Sequence, residues 1–108
     1  MKRRVVWSDD ARADQRAIVS YFAEIDPDVA DRLIDIIEDA GKRLGDHDTG
    51  RPGRTHGTRE KSVPRIKYIL SYRIEAPSKG DVVTILRVVH SSQNWPRGGW
   101  PKSSLPRS

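Results

Sequence analysis

The chain has 108 residues, enough for one domain, and its apolar fraction of 35% points to a modest core that a partner helps to stabilise. It has no cysteine, which excludes a disulfide framework and a zinc–thiolate centre. No apolar run reaches the roughly 18 residues of a membrane span, and "MKRRVVWSDD" lacks the apolar stretch of a signal peptide, so a soluble cytoplasmic protein is expected.

The net charge of +5 is unevenly spread. Residues 1–48 hold 8 Lys/Arg against 12 Asp/Glu, net −4, and residues 49–108 hold 12 against 3, net +9. The basic half suits an anionic partner, either nucleic acid, ribosome or an acidic protein; a solvated surface without a dedicated ligand is the plainer reading.

In chain order, "KRRVVW" (2–7) reads as a short strand ending at Ser8, an N-cap residue followed by Asp9 and Asp10 at the positive end of a helix. Ala11, Ile18, Tyr21, Phe22 and Ile25 recur at helical spacing, predicting a helix over about 9–25. Asp26 and Pro27 then open a second helix, whose stripe of Ala30, Leu33, Ile34, Ile37, Ala40 and Leu44 stops at Gly45. So short a link predicts an antiparallel helix hairpin.

Residues 46–57, "DHDTGRPGRTHG", read as loop, without the ending or the preceding strand of a phosphate-binding loop. Strands are predicted at "TREKSV" (58–63), at the alternating "KYILSYRIE" (67–75) and at "VVTILRVVH" (82–90), with a turn at 76–81. The last strand is the most apolar and belongs in the interior of the sheet. The order β-α-α-β-β-β gives an α+β fold, with helices on one side of a mainly antiparallel sheet. The domain is expected to occupy 1–96. Residues 97–108 form a basic Pro/Gly-rich tail, in which Trp100 docks either on a partner or on the domain itself.

"VVWSDDARAD", "YFAEIDPDVADRLIDIIEDAGKRL", "GRPGRTHGTRE", "YILSYRIE" and "VTILRVVHSSQNWP", in this order, resemble the ParE/RelE superfamily of bacterial type II toxins. The resemblance spans about residues 4–96 and implies a small cytoplasmic toxin, encoded beside an acidic antitoxin that wraps and silences it. The superfamily implies two chemistries. RelE-like members are ribosome-dependent ribonucleases, whereas ParE-like members make and break no bond and instead poison DNA gyrase.

RNA cleavage without a metal needs a base, an acid and cations around the phosphorane. Arg59, Lys61, Arg73 and Arg87 are the candidate cations and His90 the candidate proton carrier. The RelE-like pattern adds a tyrosine near the end of the last strand, but no tyrosine follows Tyr72, and the indole of Trp95 cannot transfer protons near neutral pH. The "V-x-H", polar turn and "W-P" ending leans toward the ParE-like branch, as do Asp26-Pro27 and "GTRE". The expected function is therefore gyrase inhibition rather than catalysis, with mRNA cleavage as the alternative. Arg59, Arg73, Arg87, His90 and Trp95 are the candidate target-binding residues.

Each has a plainer role. His90 and Trp95-Pro96 can end the strand and pin the tail back. Arg73 and Arg87 can pair with Glu75 or Glu60. Arg59, Lys61, Arg65 and Lys67 can form a solvated edge that discourages strand pairing. His47, Asp48 and His56 lack metal-ligand spacing, so no metal or cofactor is expected. Direct nucleic-acid binding stays open.

Overall fold

The computed structural model describes residues 3–53, 55–75 and 81–91. Strand β1 (Arg4–Trp7) leads into helices α1 (Asp9–Ala23) and α2 (Pro27–Leu44), followed by β2 (Arg51–Pro52), β3 (Arg59–Ser62), β4 (Tyr68–Glu75) and β5 (Val82–His90). The strands form one five-stranded sheet in the order β1-β5-β4-β3-β2. The β2–β3, β3–β4 and β4–β5 pairs are antiparallel, whereas β1 lies parallel to β5. This is the expected α+β layout with β5 interior.

Local chemistry sets the boundaries. The Ser8 hydroxyl accepts the Ala11 N–H at 3.0 Å and donates to the Leu86 carbonyl at 2.9 Å, so one side chain caps α1 and ties it to the last strand. Asp26 caps α2 through the Asp28 N–H at 3.0 Å, with Pro27 in the first turn. The Asp26 N–H turns back to the Phe22 carbonyl at 2.7 Å, so α1 ends at Ala23 and leaves Ile25 68% exposed, off the stripe expected for it. The two-residue β2 falls inside the expected loop. Its proline lies on an edge strand, the sheet position that tolerates a missing donor.

The core lies between the hairpin and one sheet face, where Ile18, Ile37 and Leu44 meet Leu70, Tyr72, Val83, Ile85 and Val88. Val83, Ile85 and Val88 are all fully buried although strict alternation would put Val88 on the other face. A register shift resolves this. Tyr72 pairs with Ile85 but Ser71 pairs with Arg87, so Leu86 is the extra residue of a bulge.

Gly41 interrupts α2 where Trp7 crosses it; a Cβ there would lie 2.5 Å from the indole and 2.7 Å from Ile85. A helical glycine costs roughly 0.5–1 kcal/mol relative to alanine, but here the missing methyl makes the slot for the ring. Gly41→Ala should therefore destabilise by about 1–3 kcal/mol despite the better helix propensity. A rise in urea midpoint would contradict this packing.

Candidate functional site

The sheet does not gather the candidate residues into one cluster. Arg73 and His90 lie toward opposite ends of β4, because His90 faces Tyr68 in register. Tyr68 and Arg73 are five positions apart, about 16 Å of extended chain. Trp95 lies outside the described residues, as do most of the turn expected at 76–81 and the tail with Trp100.

All three candidate strand arginines hold carboxylates, two of them in partly buried networks. Arg87 donates from Nε and Nη2 to Asp14 at 2.8 and 3.1 Å, and the Val88 N–H donates to the same carboxylate at 2.8 Å. Asp14 is 6% exposed. The pairing of β1 with β5 ends at Trp7–Ile85, so the next stretch of β5 has an open edge, and the α1 carboxylate satisfies a backbone donor there. The Arg87 guanidinium is held above its ordinary range chiefly by its hydrogen bonds to Asp14, against desolvation. Asp14 was not among the expected partners of Arg87. Its signal was a charged residue on the buried stripe of α1, between Ala11 and Ile18.

Arg59 is the second. Its Nε donates to Asp48 Oδ1 at 3.0 Å and its Nη2 to the Gly50 carbonyl. The Tyr72 hydroxyl donates to the same Asp48 oxygen and accepts the Gly50 N–H at 3.0 Å. This polar knot fastens the 46–50 loop to β3 and β4. The Tyr72 phenol is held above its ordinary range by burial first and then by its bond to Asp48, so it stays a donor. The Arg59 guanidinium is likewise raised, chiefly by Tyr72. Gly50 is required by close approach, since a Cβ would lie 2.2 Å from the phenol oxygen.

Arg73 pairs with Glu75 at 3.3 Å with both side chains about half exposed, 50% and 49%, a contact worth at most about 1 kcal/mol. His90 stands edge-on to Tyr68, with ring centroids 5.2 Å apart. Its imidazole is pushed below the usual range by burial and then by the Lys67 charge, which favours the neutral ring. The Ser91 N–H donates to the Lys67 carbonyl at 2.8 Å and closes this end of the sheet.

A groove of about 390 Å³ lies between α2, the 46–49 loop and the β3–β4 turn, with Ile36, Ala40 and Leu44 as its floor. Asp39, paired with Arg43, and Asp46 also line it, and Lys61 and Arg65 have no carboxylate partner among the described residues. Arg65 holds a left-handed backbone, φ 74°, a conformation a non-glycine residue rarely adopts. Among the described residues no group of three His, Cys, Asp or Glu side chains could hold a metal ion, and no helix is long and apolar enough to cross a membrane.

Comparison with known proteins gives a consistent result. Residues 5–95 match the family described as the ParE toxin of the type II toxin–antitoxin system parDE. An inferred toxin of Sinorhizobium fredii, Y4kP, is 36% identical over 97 residues, which is 89% of this chain and 96% of that protein. Among solved structures, a chain of the chromosomal ParDE system from P. aeruginosa superposes with a TM-score of 0.73 at 24% identity, covering 82% of this chain and 96% of that one. A chain of the toxin–antitoxin complex RelBE2 from Mycobacterium tuberculosis gives 0.54 at 25% identity, covering 83% and 99%.

Proposed function

From the premise that the chain belongs to the ParE toxin family of type II toxin–antitoxin systems, we propose that it acts by inhibiting DNA gyrase and is silenced by a cognate acidic antitoxin. The observation that carries this over mRNA cleavage is the environment of His90. The tyrosine that the fold brings to it is Tyr68, from β4, where a search of the sequence after β5 could not find it. Tyr68 is 3% exposed, its hydroxyl has no hydrogen-bond partner among the described residues, and burial pushes its pKa up to about 12. A phenol buried in that state is shielded from a phosphate in solvent, and its raised pKa makes it a poor general base near neutral pH. Arg59 and Arg87, two of the cations a phosphorane would need, already hold Asp48 and Asp14.

An inhibitor needs contact surface rather than proton transfer, and the half-exposed Arg73 and the end of β5 at His90 offer it. The antitoxin reading is supported by the groove, whose apolar floor, with Lys61 and Arg65 free of carboxylate partners among the described residues, complements an acidic amphipathic segment. The likeness to a RelBE2 chain keeps mRNA cleavage as the alternative.

The deciding experiment runs gyrase supercoiling and ribosome-bound mRNA cleavage on one preparation of the full chain. Supercoiling should be blocked while transcripts stay intact, and His90→Ala should show no loss of the roughly 10²–10⁴-fold size that removal of a general acid or base produces. Cuts in the ribosomal A site, abolished by His90→Ala with supercoiling normal, would establish the ribonuclease instead.

A further inference from the structure

The knot around Asp48 is asymmetric. Its two donors stand on neighbouring strands in direct register, Arg59 opposite Tyr72, and Tyr72 is fully buried. The acceptor stands on a loop whose residues Asp46, His47, Asp48 and Thr49 are all exposed. Rigid donors facing a carboxylate carried on an exposed loop have the geometry of a receptor with its ligand seated. The Gly50 N–H occupies a lone pair of the Tyr72 oxygen at 3.0 Å, which turns the phenol proton toward the carboxylate. Solvent reaches the pair, since 35% of the Arg59 side chain and 26% of the Asp48 side chain are exposed.

We infer that Arg59 and Tyr72 form a carboxylate-binding cradle with Asp48 as its built-in ligand, and that the 46–50 loop is a strap which a carboxylate side chain of an acidic peptide can release by taking the cradle. The strap also carries His47 and Thr49 into the wall of the groove whose rim holds Lys61 and Arg65. An acidic segment drawn to those cations therefore arrives beside the cradle, and releasing the strap frees that wall to move. The tethered Asp48 competes at an effective concentration on the order of millimolar or higher, so stray carboxylates in solution leave the strap closed. A segment already anchored in the groove competes on equal terms.

This goes beyond the choice of target and uses no antitoxin, so its failure would leave the gyrase reading untouched. The test titrates hexaglutamate into the full-length chain, following the Gly50 amide resonance at fixed ionic strength. Asp48→Ala should bind about tenfold more tightly than the unmodified chain, the scale of one charge-assisted hydrogen bond, and adding Arg59→Ala should remove the gain. Asp31→Ala, at an exposed position of α2 away from both cradle and groove, makes the same change in net charge and should show no such gain. Sodium acetate, but not sodium chloride, should return the Gly50 amide of Asp48→Ala toward its unmodified position. Asp48→Asn keeps the shape of the side chain and supports the same comparison if the alanine variant folds poorly. Equal gains for Asp31→Ala and Asp48→Ala, or a Gly50 amide indifferent to acetate, would overturn the inference.

Discussion

Replacing Asp14 by alanine is expected to cost the fold about 3–5 kcal/mol, the penalty for removing one member of a buried ion pair. The loss has two parts. Arg87, whose side chain is 16% exposed, forfeits a bidentate partner, and the Val88 N–H forfeits its acceptor on an edge that β1 does not reach. An unpaired buried donor is charged its full desolvation. Asp14→Asn keeps a carbonyl for Val88 but loses the charge, so it should fall between the two. Asp14→Leu combined with Arg87→Met should recover much of the loss, because apolar groups of similar volume often replace a buried pair at little cost. Urea unfolding at pH 7 measures all three. A cost below about 1 kcal/mol for Asp14→Ala would place the pair in the class of solvated surface contacts and contradict the geometry.

The second large effect is alkaline. Tyr68 is raised from 10.0 to about 12, by burial first and then by the neighbouring Tyr21. The folded state therefore holds the phenol proton after the unfolded chain has released it. The resulting stability is complete below pH 10 and disappears as the pH rises through 12, a loss of about 2–3 kcal/mol. Tyr72 is raised in the same direction and adds to the slope. Tyr68→Phe should flatten the part of the slope that belongs to residue 68. At neutral pH the same substitution should be neutral or stabilising, because it removes a buried hydroxyl that lacks a partner among the described residues. Urea-unfolding free energies at pH 9 and near pH 11.5 separate the two variants; identical slopes would mean that Tyr68 is hydrated in solution.

The fold was legible where it depends on local chemistry. Ser8 and Asp26 announce both helix starts, the apolar stripe of α2 announces its buried face, and the alternation of 67–75 announces β4. What stayed hidden depends on pairing across distance. The Leu86 bulge leaves no mark on composition, yet it turns Val88 into the core and Arg87 toward Asp14, 73 residues away. Arg59 read as an edge cation because its strand is charged, and nothing in the sequence ties it to Asp48 or Tyr72. Tyr68 read as one more alternating apolar position, and only the β4–β5 register sets it beside His90. The parallel direction of β1 is equally silent, because two intervening helices can return the chain to a sheet in either sense.

The pairing of β1 with β5 also governs the order in which the chain can fold. Contacts such as Ser8 to Leu86 and Arg3 to Asp81 each span 78 residues, and native contacts of such long range slow folding, because their loop-closure entropy is met before they reward it. As the chain leaves the ribosome, β1 and the helix hairpin emerge before the other strands, and the apolar stripe of the hairpin waits for β4 and β5 before it has a sheet to cover. The newborn toxin therefore passes through an interval as a sticky, acidic pair of helices with only β1 of its sheet. That interval is a window for chaperones and proteases to decide its abundance before any finished surface exists.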